Sequence, residues 1–205
     1  AGIFGIFADI GLVNIITREA SKNSDLRKKY ISTIFVLKIL ITTISAVALF
    51  MLAPNISKIP EINKLTYILV GLLIFDSIRD FGIGINRASE KMEREAFVKV
   101  LINILISAAG LYVVFYLPSV KNLLLTYALG SLVGCIAIFY IIRKSLGIIK
   151  NNFDPKIIKT ILSSAWPFAV LGLFTTIMLN TDVLMLGWLK GSHEIGIYSI
   201  AQRFT

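Results

Sequence analysis

Seven ionisable side chains lie inside stretches that are otherwise apolar: Asp9, Lys38, Asp76, Arg79, Asp80, Asp182 and Arg203. Three of them fall in one segment. An apolar run, Leu65–Phe75, leads directly into Asp76, Arg79 and Asp80. Positions three and four apart share a face of a helix, so these three form one stripe with Ile83 and Arg87. Charges at that depth are expensive in lipid and belong against a protein interior or a wet cavity. The pattern is that of a polytopic membrane protein with a polar pathway through it.

Each candidate has a structural alternative. Asp9 shares a face with Gly2 and Gly5, and is either a carboxylate on a close-packed cavity wall or an interhelical hydrogen bond at a helix end. Lys38 falls about nine residues into its apolar run, ~13 Å deep at helical rise. Thr42 and Ser45 continue its face, which favours a cation facing a cavity. Asp76, Arg79 and Asp80 can neutralise one another within one helix, but two carboxylates to one guanidinium leave a surplus negative charge. Lys38, Arg203, a bound ion or a proton would balance it. Asp182 follows Leu179-Asn180-Thr181 and either lines the outer part of a cavity or caps a break in its helix. The single histidine, His193, has no partners for a metal site or a catalytic triad, and the single cysteine, Cys135, reads as a packing residue.

Composition sets the solvent. Of the 205 residues, 56% are hydrophobic, above the 45–50% usual for soluble domains. Only 16% are charged, yet the net charge is +9. The basic residues sit between long apolar runs rather than on a polar surface, which fits loops at an anionic leaflet and argues against a nucleic-acid partner.

The elements that position these residues are helices of about 20 apolar residues. Five full spans are expected, at about 29–52, 65–86, 96–117, 120–142 and 159–189. Residues 1–17 read as the last part of another helix and 195–205 as the start of one. Basic-rich connectors (18–29, 87–95 and 143–159) alternate with basic-poor ones (53–64, 118–121 and 190–194), as helices crossing a membrane with positive loops inside require. The basic-rich set is therefore expected to be cytoplasmic. Pro54, Pro60 and Pro118 punctuate the other side, whereas Pro167 lies within a span and is expected to kink it. The GxxxG of Gly130–Gly134 reads as close helix packing. The chain divides on this reading into a partial N-terminal lobe (1–142), an inter-lobe linker (143–159) and the beginning of a C-terminal lobe (160–205). Ala1 and Thr205 each fall in or beside a hydrophobic pattern, so a piece of a longer chain is expected.

Three groups of residues resemble the polysaccharide flippases of the multidrug, oligosaccharidyl-lipid and polysaccharide exporter superfamily. The first is Phe7-Ala-Asp-Ile-Gly-Leu12 with Thr17-Arg-Glu-Ala20. The second is Asn86-Arg-Ala-Ser-Glu-Lys-Met-Glu93 with Ala96-Phe-Val-Lys-Val100. The third is Trp166-Pro167 with Asn180-Thr-Asp182 and Gly196-Ile-Tyr-Ser-Ile-Ala-Gln-Arg203. The resemblance implies an all-α polytopic integral membrane protein with a MATE-like helical bundle of two lobes about a cavity, of which this chain holds part. It also implies movement of a polyprenyl-diphosphate-linked oligosaccharide across the cell (cytoplasmic) membrane. Lys38, Arg79 and Arg203 would then meet the diphosphate, and Asp9, Asp76 and Asp182 would carry H⁺ or Na⁺ from a coupling gradient, with no other cofactor and no metal. Implied partners are the lipid-linked oligosaccharide, the bilayer, and a polysaccharide polymerase or glycosyltransferases. Two alternatives stay open: an ion-coupled multidrug or metabolite antiporter of the same superfamily, and a membrane-embedded glycan polymerase or ligase. The short connectors disfavour the second, because such enzymes usually carry large outer loops.

Overall fold

A computed structural model describes residues 2–22, 24–56, 62–146, 152–189 and 192–202. Those residues are helical almost throughout, and no strand occurs among them. The helices are α1 (Gly2–Asp9), α2 (Leu12–Lys22), α3 (Ser24–Ile56), α4 (Ile62–Ala88), α5 (Met92–Tyr116), α6 (Val120–Leu146), α7 (Ile158–Leu189) and α8 (Ser192–Gln202). All five expected spans form helices. Among the described residues, four segments are both long and apolar enough to cross a membrane: Leu26–Ala53, Met92–Tyr116, Val120–Arg143 and Pro155–Val183. The fifth, α4, has 27 residues, but Asp76, Arg79 and Asp80 interrupt its apolar run.

The first apolar stretch departs from the expected single helix. It breaks after Asp9, where Ile10 (φ 45°) and Gly11 (φ 74°) both enter the left-handed region. Glycine is required at 11 on two counts. Its φ is one that L side chains rarely adopt, and a Cβ there would lie 2.6 Å from Cβ of Phe168 and 2.8 Å from the Ala165 carbonyl oxygen. A β-branched residue such as Ile10 at positive φ is strained by ~1–3 kcal/mol, and the packing on either side must hold it. α2 supplies that hold, since Leu12, Ile15 and Ile16 are fully buried with Phe81 and Ile85 of α4 and Ile34 of α3.

The chain divides into two compact units, residues 1–169 and 170–205. Within the first, α4 is central. It packs on α3 and on α6, α6 packs on α5, and α1 and α2 lie against α3 and α4. The GxxxG seam behaves as its spacing predicts. Gly130 admits Ile106, and Gly134 admits Ile102, so α5 and α6 approach closely. The faces away from these seams are apolar and exposed, with Phe97, Ile104, Leu111 and Phe115 along α5. Hydrocarbon is the solvent such a surface needs.

Ion pairs tie the basic end of this unit together. Arg87 donates to both oxygens of Glu95, at 2.7 and 2.5 Å, across the tight turn between α4 and α5, and Lys99 reaches the same carboxylate at 2.6 Å. Arg27 of α3 donates to the Ala88 carbonyl at 2.6 Å and to Ser89 Oγ at 2.5 Å. The connector expected over 87–95 is therefore mostly helix, with only residues 89–91 outside it. In the connector before α7, Asp154 caps a short 3-10 turn, Pro155–Ile157, by accepting from the Lys156 N–H. Its backbone N–H donates to Thr33 Oγ1 at 3.1 Å, and its carboxylate stands 3.7 Å from Lys29. α7 itself continues through Pro167 as one helix, Ile158–Leu189.

Candidate functional site

Five of the seven sequence-predicted residues lie in the first unit, and they form two linked ion-paired groups. Lys38 is 3% exposed in the middle of α3, and its ammonium stands 2.5 Å from Oδ1 of Asp9, which ends α1 at the helix break. Thr42, one turn along α3, shares a hydrogen bond of 2.7 Å with Ser77 of α4, and both hydroxyls are buried. α3 thus presents Lys38, Thr42 and Ser45 inward, as their spacing predicts. Gly5 does not fit the expected close-packed wall beside Asp9, because a Cβ there would meet nothing within 4 Å. Asp9 acts instead as the partner of a cation on another helix.

The second group is the α4 stripe. Arg79 bridges Asp76 at 2.7 Å and Asp80 at 3.4 Å. Ser131 of α6 joins it: its hydroxyl donates to Asp76 Oδ1, and Arg79 lies 3.4 Å from the same hydroxyl. Gly134 leaves room beside the Arg79 side chain, whose Cδ would lie 3.4 Å from a Cβ there. Asp80 is the most open member, with half of its side chain exposed, and it lies within Coulombic reach of Lys38 and Asp9 as well as Arg79 and Asp76. That reach makes one cluster of the two groups. Three carboxylates face two cations, so the cluster carries a net charge of −1 when all are ionised. The surplus expected from the α4 triplet therefore persists, because Lys38 makes its close contact with Asp9 rather than with Asp80.

The other two candidates stand apart from this description. Asp182 belongs to the second unit, where its Oδ2 accepts from the Tyr198 hydroxyl at 2.7 Å. α7 runs on past it to Leu189, so Asp182 does not cap a helix break. Arg203 lies outside the described residues.

Ser131 and Ser77 escaped the sequence reading. Ser131 sits within the GxxxG motif, whose packing role drew attention away from its hydroxyl, although it lies one residue from a glycine that brings helices close. Ser77 sits between the charged residues of the stripe but not on their face. For Ser131 the available signal is a small hydroxyl within a motif of close approach, and for Ser77 a small hydroxyl within a charged apolar segment, since such residues hydrogen-bond across membrane helices.

A bundle of long apolar helices with ionised side chains paired between them defines an all-α, multi-pass membrane protein. Its family is equally plain: the family model described as polysaccharide biosynthesis protein matches residues 1–205, and the chain belongs to that family. No curated protein and no solved structure matches it.

Proposed function

We propose that this protein is a transporter that moves a polyprenyl-diphosphate-linked oligosaccharide from the inner to the outer leaflet of the cytoplasmic membrane, within a MATE-like bundle. The basic connectors 18–29, 87–95 and 143–159 lie on the cytoplasmic side. The observation that carries this reading is the pairing of buried Lys38 with part-exposed Asp9 beside the Asp76–Arg79–Asp80 group, in a member of a polysaccharide biosynthesis family. A diphosphate joined to a hydrated glycan cannot cross hydrocarbon unaided. It needs cations within the membrane, and cations kept there need counter-charges meanwhile.

Both requirements give the cluster a mechanism. Lys38 and Arg79 are held by carboxylates when no substrate is bound. A proton or Na⁺ taken up at Asp9 or Asp76 weakens that hold. The freed ammonium and guanidinium then accept the diphosphate through charge-assisted hydrogen bonds. Substrate and coupling ion thus exchange partners on the same side chains, and neither state leaves a bare charge in the bundle. Glycosyltransferases supply such a substrate, and a polysaccharide polymerase consumes it on the far side.

The net charge of −1 supports a second reading, an ion-coupled antiporter for cationic drugs or metabolites. One experiment separates the two. Lys38→Ala is introduced into the full chain, expressed in a host lacking its own flippase, and surface glycan and drug efflux are measured together. Loss of surface glycan with efflux unaffected is expected. Unchanged glycan with lost efflux would establish the antiporter.

A further inference from the structure

At the basic end of the first unit, the first turn of α5 and the last two turns of α6 flank an open cleft of about 370 Å³ lined by Arg94, Tyr140, Ile141 and Arg143. Its two arginines differ from Arg87, Lys99 and Lys29 at the same end. Arg87 and Lys99 share Glu95, and Lys29 faces Asp154. Among the described residues no carboxylate comes within ion-pair distance of Arg94 or Arg143. Glu95, one residue from Arg94, is already held by Arg87 and Lys99, so it does not compete.

Arg143 is also oriented. Its guanidinium stacks over the Tyr140 ring, 4.5 Å from the centroid. Stacking leaves the in-plane N–H fork free to bind a planar pair of anionic oxygens, and phosphate presents such a pair. Tyr140 is exposed, and its hydroxyl adds a donor at the depth where tyrosines favour the membrane interface.

The cleft continues into an apolar track. On α5, Leu101 and Leu105 follow Arg94 at helical spacings of seven and eleven. On α6, Val133 and Leu129 precede Tyr140 at seven and eleven. Leu105, Leu129 and Val133 are exposed, and Leu101 is half-buried. A paired-arginine head site above an exposed hydrocarbon track matches a molecule with one phosphodiester and acyl chains. Free phosphate would use the head site only, with no use for the track.

We propose that this cleft binds the headgroup of an anionic phospholipid of the inner leaflet, with an acyl chain along the α5–α6 seam. The leaflet follows from the orientation given under the proposed function, but the site itself is independent of what is transported. Basic pockets between membrane helices recognise lipid headgroups in this way.

The test is native mass spectrometry on the full chain in detergent, with phosphatidylglycerol, phosphatidylcholine, undecaprenyl phosphate and inorganic phosphate as separate probes. Wild type retains phosphatidylglycerol in preference to phosphatidylcholine. Arg94→Gln/Arg143→Gln lowers phosphatidylglycerol retention at least about tenfold, in line with loss of two charge-assisted contacts. Arg94→Lys/Arg143→Lys, which keeps charge and loses the fork, gives an intermediate loss. Lys28→Gln/Lys156→Gln, removing two exposed cations from the same end, leaves retention within about twofold if fixed geometry rather than net charge governs binding. Equal losses in the Arg94/Arg143 and Lys28/Lys156 variants would overturn the proposal. So would retention unaffected by the arginine changes, or preferential binding of undecaprenyl phosphate or of free phosphate at the cleft. Failure here leaves the glycan-export result untouched, because that experiment reads Lys38.

Discussion

Two ion-paired centres sit at different levels of the first unit and share α4, and they are built differently. At the basic end, one carboxylate serves two cations: Glu95 is 10% exposed and is gripped bidentately by Arg87 and again by Lys99. In the middle, three carboxylates share two cations, and the contacts reach from 2.5 Å at Asp9 to 3.4 Å at Asp80. The first arrangement is saturated, since its acid is held by two cations whose own side chains are part-exposed. The second is short of positive charge and has an open member in Asp80. A saturated centre fixes a turn. An unsaturated one can change partners, as the proposed transport cycle requires.

The largest test of this contrast removes one side of the buried pair. Lys38→Ala leaves Asp9 without its cation and should destabilise the protein by about 3 kcal/mol, whereas Lys38→Ala/Asp9→Ala should recover most of that loss. Denaturant unfolding in detergent reads both. If the double variant were no more stable than the single one, the pair would not be an isolated partnership and Lys38 would hold more than Asp9. A middle-sized effect comes from pressing on the central group without altering its charge. Gly134→Leu forces Ile102 and the Arg79 side chain aside and should cost about 1–3 kcal/mol as overpacking. Its glycan export should fall further than that of Gly130→Leu, where the nearest atoms belong to Ile106. Equal export in the two glycine variants would show that the placement of Arg79 is not critical. The smallest effect is at the basic end. Arg87→Ala breaks a bidentate pair, but Arg87 is 37% exposed and Lys99 remains on Glu95, so a loss of about 1 kcal/mol or less is expected, with export near wild type. A collapse of export there would blur the distinction between a fixed turn and an exchangeable core.

The sequence made the helices legible because lipid asks for one simple thing, about 20 apolar residues in a row. It made the Arg79–Asp76 contact legible too, since i,i+3 spacing is local geometry. The Lys38–Asp9 pair was not legible. Its members are 29 residues apart on different helices, and only the packing of α1 on α3 brings them together. Both residues drew notice singly, as charges in apolar runs, without a hint that each was the other's answer. The break at Ile10–Gly11 left little trace either. One glycine in an apolar run is common in membrane helices, and an isoleucine at positive φ is a position that propensity alone argues against. The connector is shorter than the charged stretch 87–95, because charge does not by itself end a helix. Arg87 and Glu95 are instead helical residues that neutralise each other across a three-residue turn.

The kink between α1 and α2 has a mechanical corollary. Downstream of it, Leu12, Ile15 and Ile16 are embedded in the core and cannot shift without unpacking α4. Upstream, α1 has open space beside Gly5. Displacement of Asp9 away from Lys38 therefore leaves α2 in place. It needs only a swing of the arm that carries Asp9 about a fulcrum already bent at rest.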